Sequence, residues 1–125
     1  MRFIETKTHG YLDYLMGILL LVAPALLDLD MSSAEGAIPM ILGAMMIVYS
    51  LMTSYELGIA KVISMKTHLM IDLLSGIFLA ASPWLFNFDE RVYLPHLILG
   101  IAEILASLMT KTTPRTSNVG TTQSI

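Results

Sequence analysis

The feature that most constrains this chain is where its charges are missing. No Asp, Glu, Lys or Arg stands between Asp13 and Asp28, between Glu35 and Glu56, between Asp72 and Asp89, or between Arg91 and Glu103, and 104–110 is uncharged again. Four apolar segments result, at roughly 11–28, 36–55, 69–87 and 92–110. Each is close to the ~17–25 residues that carry a helix across a hydrocarbon core. Lipid offers the backbone no hydrogen-bond partner, so a helix that satisfies its own amides is the expected form. The short alternating segments of an outer-membrane barrel are not seen. Composition agrees: only 14% of residues are charged, against about 25% in an average soluble domain. A soluble chain of 125 residues would have a large surface to cover and too few polar groups to cover it.

The remaining charges suggest an orientation. Arg2 and Lys7 precede the first segment, Lys61 and Lys66 lie between the second and third, and Lys111 and Arg115 follow the fourth. Arg91 alone falls in the other set of connections, beside Asp89 and Glu90. The positive-inside rule then places both termini and the middle loop in the cytoplasm. A net charge of −3 without a basic cluster argues against a nucleic-acid partner. The first segment reads as an uncleaved span, since Asp13 interrupts it early and Ala23-Pro24-Ala25 is a poor cleavage site.

The chain also repeats itself. Thr8-His9-Gly10-Tyr11-Leu12-Asp13 returns 59 residues later as Thr67-His68-Leu69-Met70-Ile71-Asp72. The match runs on through Gly17 and Gly76, Pro24 and Pro83, and Asp30 and Asp89. At a spacing of 57, Gly43 matches Gly100 and Ser50-Leu51-Met52-Thr53 matches Ser107-Leu108-Met109-Thr110. Shared leucines would mean little in this composition; shared His, Asp, Gly and Pro mean a duplicated helical hairpin. The expected architecture is all-α and membrane-embedded: four transmembrane helices in a compact bundle, as two tandem parallel repeats (8–53 and 67–110). Residues 1–110 form the membrane domain, and the Thr/Ser-rich 111–125 is expected to be a disordered cytoplasmic tail.

Ser82-Pro83-Trp84, followed by Leu85-Phe86-Asn87-Phe88 and preceded by His68-x-x-x-Asp72, resembles the SPW-repeat family. The resemblance covers 8–110. It implies a small bacterial integral membrane protein made of two-helix repeats, and it carries no activity with it. The first copy departs from the pattern, with Ala23-Pro24-Ala25 where Ser-Pro-Trp is expected.

The polar residues inside the spans are the candidate site. His9 and Asp13, like His68 and Asp72, are four apart and share a helix face. Glu103 lies about 10 Å from the end of its helix, a depth close to that of Asp13 and Asp72. His9, Asp13, His68, Asp72 and Glu103 are thus expected to form one polar layer facing the bundle interior. The leading reading is a clamp between the repeats, with no cofactor and no metal. Alternatives are a proton or ion path through the carboxylates, a divalent metal on His9, Asp13, His68 and Asp72, and a haem between His9 and His68.

No phosphate loop, HExxH motif or nucleophile–base pair is present, and the absence of cysteine removes thiolate chemistry. The expected role is a non-enzymatic accessory or self-associating bundle. Its partners are the bilayer and either a second copy or another membrane protein.

Smaller expectations complete the reading. Trp84, Phe86, Phe88 and Tyr93 would anchor one interface and Tyr11, Tyr14 and Tyr55 the other. Ser32-Ser33-Ala34-Glu35 spells a capping box that starts the second helix near Ala34. Pro24 and Pro83 would end or bend their spans, and His96 is a satisfied interfacial histidine. Gly76-x-x-x-Ala80 and Ala102-x-x-x-Ala106 mark close helix contacts. The ten methionines fill gaps.

Overall fold

The structure is a computed structural model that describes residues 2–114. It contains four helices: α1 (Thr6–Leu26), α2 (Ala34–Leu51), α3 (Met65–Leu85) and α4 (Leu94–Met109). The first three are long and apolar enough to cross a membrane; α4 is apolar and shorter. α1 packs along α2 and α3 along α4, while α2 touches α3 more lightly. The described residues form an all-α bundle of two hairpins, with only isolated β-bridges between chain segments. Of the tail expected at 111–125, residues 115–125 lie outside the described part.

α1 and α3 begin four to five residues ahead of the apolar blocks that announce them, because an uncharged stretch marks where lipid begins rather than where helical geometry begins. Ser64 caps α3, its hydroxyl accepting from the Thr67 amide at 3.2 Å. Both helices end through the same device. Each closes two residues past a proline, Pro24 or Pro83, whose carbonyl accepts from the amide five residues on (Leu29 or Phe88, both at 2.8 Å). The residue before that amide, Asp28 or Asn87, has a positive φ of 55° or 60°. This is a Schellman closure, with Asp and Asn tolerating the left-handed conformation. Its hydrophobic partner folds back onto the helix. Phe88 is therefore core, 5% exposed, not part of an interfacial belt as its position in sequence suggests. Trp84, Phe86 and Tyr93 do stand on the surface at this end.

At the start of α2 the capping box does not form. Ser33 holds the N-cap position without a side-chain cap, and the Glu35 carboxylate turns to the Asp30 amide at 2.8 Å and to Arg91. Asp30 itself is held below the usual carboxylate range by the hydroxyl and amide of Ser32. His96 is buried, and its Nε2 donates to the Glu35 carbonyl at 2.8 Å, tying α4 to the first hairpin.

Inside each hairpin the helices meet backbone to backbone at paired glycines. A Cβ on Gly43 would stand 2.7 Å from the Gly17 carbonyl oxygen; one on Gly100 would stand 2.5 Å from the Ala80 amide nitrogen and 2.7 Å from the Gly76 carbonyl oxygen. Gly76 and Ala80 thus work within the second hairpin. Ala102 is exposed and Ala106 half-buried, so that stripe is not closed by a helix of the same hairpin.

The interior is layered. Leu20, Leu79, Ile38 and Phe88 form an apolar layer toward the end that carries the α1–α2 and α3–α4 turns. Toward the end where α1 begins and α4 ends, the buried groups are largely polar. The perimeter is apolar: Leu15, Ile18, Ile41, Val48, Leu74, Ile98 and Leu105 are all at least half exposed. Polar inside and apolar outside is the reverse of a soluble bundle, and lipid is the solvent that suits it.

Candidate functional site

α1 and α3 each bring a His and an Asp to the same face, and the bundle lays those faces against each other. His9, Asp13, His68 and Asp72 are 1%, 4%, 0% and 0% exposed. Their side chains form a closed quadrilateral. His9 Nε2 lies 2.7 Å from Asp72 Oδ2 and 3.0 Å from Asp13 Oδ2. His68 Nε2 contacts Asp13 Oδ2 and lies 3.1 Å from Asp72 Oδ2. The pairs four apart do touch, as their spacing predicts, but the hydrogen bonds run crosswise, His9 to Asp72 and His68 to Asp13.

Two threonines and a tyrosine complete the cluster. His9 Nδ1 lies 2.7 Å from the Thr110 hydroxyl, and His68 Nδ1 lies 2.7 Å from the Thr53 hydroxyl. Each threonine already donates its only hydroxyl proton to a backbone carbonyl four residues back, Ala106 or Tyr49, both at 2.6 Å. Toward the histidines those oxygens can only accept. Both Nδ1 atoms must therefore carry the proton, and both Nε2 atoms face carboxylates. Neutral imidazoles would then set lone pair against lone pair. Protons or a cation must therefore stand between the Nε2 atoms and the carboxylates, two positive charges in all against two carboxylates. Tyr49 adds a hydrogen bond from its phenol to Asp72 Oδ1.

Short bridges hold the threonines in place. Ile4 pairs with Thr110, and at the matching point Ile63 pairs with Thr53. Thr53, Thr110 and Tyr49 carry no charge that would mark them within an apolar span. The repetition of Ser-Leu-Met-Thr at the ends of the second and fourth helices was the available signal for the threonines. Nothing marks Tyr49, whose counterpart in the second copy is Ala106. Tyr55, expected at an interface, is instead fully buried under the cluster, its ring 5.6 Å from that of His68.

Glu103 reaches the same depth and is 4% exposed, but neither carboxylate oxygen has a hydrogen-bond partner. Its counterpart in the first copy is Met46, 1% exposed. Glu103 lines a groove of about 190 Å³ between α1 and α4, with Leu12, Asp13, Leu15, Ala102 and Ala106. On the opposite side of the bundle Tyr49 fills the corresponding position and covers Asp72. An unpartnered buried carboxyl costs about 1–3 kcal/mol. Glu103→Met, which copies the first hairpin, is therefore expected to stabilise the protein by about 1–3 kcal/mol, read as a higher melting temperature in mild detergent. A lower one would mean that the carboxyl has a partner that stabilises it.

The haem reading does not survive the geometry. The Asp13 and Asp72 oxygens occupy the space between the two imidazoles, leaving no room for a macrocycle. Ser82, Pro83 and Trp84 lie at the far end of α3 and do not join the cluster. Ser82 is buried and donates to the Leu79 carbonyl at 2.7 Å; Pro83 and Pro24 are buried in their helix ends; Trp84 packs against Tyr93 at 5.7 Å. These residues terminate a helix; they do not build a site.

No curated protein and no solved structure shows a significant match to the chain. A family model described as the SPW repeat domain matches residues 7–110, spanning all four helices and every residue of the cluster. The chain is a member of the SPW repeat domain family.

Proposed function

We propose that the protein is a non-enzymatic multi-pass membrane protein, with both termini cytoplasmic, that acts as an accessory or self-associating bundle. Its polar cluster clamps two hairpins into one rigid body, and its apolar perimeter is what it offers to lipid and to a partner within the bilayer. One observation carries this reading: each crosswise hydrogen bond of the cluster joins one repeat to the other (His9–Asp72, His68–Asp13, His9–Thr110, His68–Thr53). α2 and α3 pack only lightly, and at this level these bonds join the hairpins together with the backbone pairing of Phe3 and Ile4 with Met109 and Lys111.

Conduction of protons or ions is the second reading, favoured by the unpartnered Glu103 in its groove beside Asp13. Against it stands the apolar layer of Leu20, Leu79, Ile38 and Phe88, which gives a proton no relay group between the cluster and the turn end. The test is the double variant Asp13→Asn, Asp72→Asn, which keeps shape and removes the carboxylate charge. The clamp reading expects reduced thermal stability and loss of the native-mass assembly, with wild-type proteoliposomes no more proton-permeable than empty vesicles. Proton flux in wild type that vanishes in an equally folded double variant would overturn it in favour of conduction.

A further inference from the structure

We propose that the His9–Asp13–His68–Asp72 cluster binds one divalent first-row transition-metal ion of the zinc type, a site that joins the two repeats. The inference rests on reading the cluster as the clamp and names what sits at its centre.

The first support is the direction of the imidazoles. Thr53 and Thr110 fix the proton on Nδ1, so both Nε2 lone pairs converge on one point. Holding one ring nitrogen by an outer acceptor so that the other presents a lone pair is how proteins orient metal-binding histidines. The second support is distance. Four donors about 2.0–2.1 Å from a metal stand about 3.3–3.4 Å apart in a tetrahedral shell. Three edges of the quadrilateral measure 2.7, 3.0 and 3.1 Å and the fourth is shorter, so the frame is a few tenths of an ångström tighter than that shell and must open to take the ion, while all four donor atoms already lie within 4.8 Å of one another. Small side-chain rotations convert this frame into a coordination shell.

The third support is charge. Two carboxylates and two neutral imidazoles around a divalent ion sum to zero, which suits a site enclosed by apolar helices. Two imidazole nitrogens and two carboxylate oxygens suit zinc, copper or nickel better than magnesium or calcium, which prefer oxygen alone. With all four positions filled from the protein and the cluster almost wholly buried, the site is structural in type, with no open position for chemistry.

The alternative balance is two protons, giving two crossed imidazolium–carboxylate pairs. The experiment separates the two. The full chain is purified in mild detergent, stripped with chelator and titrated with Co²⁺ and Zn²⁺. The proposal expects about one metal per chain, d–d absorption bands from bound Co²⁺, and a melting temperature that rises with Zn²⁺. It expects the bands to vanish in His68→Gln and the affinity to fall about 10–100-fold in Thr53→Val, which leaves all four metal donors in place and removes the outer acceptor. Thr53→Val carries the test if His68→Gln fails to fold. A chelator-stripped chain that shows no bands and melts at the same temperature with and without Zn²⁺ overturns the metal; if Asp72 substitution still destabilises that chain, the clamp stands without it. Bands of equal strength in wild type and His68→Gln also overturn the assignment.

Discussion

Replacing Asp72 by Ala is expected to destabilise the protein by about 3–5 kcal/mol, the largest loss from any single side-chain truncation in the cluster. Asp72 is fully buried and meets His9, His68 and the Tyr49 phenol. Its removal leaves positive charge at the centre balanced by Asp13 alone and strands a phenol in an apolar surround. A polar contact between membrane helices is ordinarily worth only ~0.6–2 kcal/mol, because the separated helices find other partners. The Asp72 effect exceeds that range because a charge loses its counter-charge and three contacts go at once. Denaturation of wild type and variant in mixed micelles reads the difference. A cycle with His9→Gln should show coupling of about 0.5–3 kcal/mol, since the two side chains touch at 2.7 Å. A loss below about 1 kcal/mol would mean that the cluster is not the clamp.

Gly100→Leu is expected to cost about 3 kcal/mol, for a different reason. A Cβ at Gly100 already collides with the Ala80 amide and the Gly76 carbonyl oxygen. Those are backbone atoms of α3 and cannot rotate away, so α3 and α4 must separate. The bulk beyond Cβ then opens the tightest contact of the second hairpin. The control is Leu74→Ala on the exposed face of α3, where a change within about 0.5 kcal/mol is expected. A melt of both variants in one detergent decides it. A Gly100→Leu protein as stable as the control would show that the glycine contact is not tight in solution.

How far the sequence discloses this molecule depends on which force sets each feature. The four helices follow from uncharged stretches, because lipid tolerates nothing else at that length. Their first turns do not, because Thr6 and Met65 start helices outside the apolar blocks. His9, Asp13, His68 and Asp72 stand out because ionisable groups in apolar spans are costly and these recur in both copies. Their crosswise bonding could not be read, since a spacing of four reports only on one helix and the way two helices face each other is set by packing. Glu103 is buried at the expected depth, yet makes no hydrogen bond to the His–Asp cluster. The burial of Phe88 and Tyr55 is not legible in sequence, because an aromatic beside a span looks the same whether it anchors an interface or folds back as a helix cap or a lid. The Ser-Pro-Trp segment is conspicuous in sequence and has no part in the cluster; its proline carbonyl closes α3.

The most direct measurement is lipid accessibility around α1 and α3. The chain has no cysteine, so single cysteines can carry spin labels without background. In lipid vesicles, labels at Leu15, Ile18 and Leu74 should show high collision rates with dissolved oxygen, and labels at Leu20 and Leu79 low ones, because the first three are at least half exposed and the last two fully buried. The opposite ranking, with Leu20 and Leu79 open to the acyl chains, would turn Asp13 and Asp72 toward lipid and contradict an interior polar cluster.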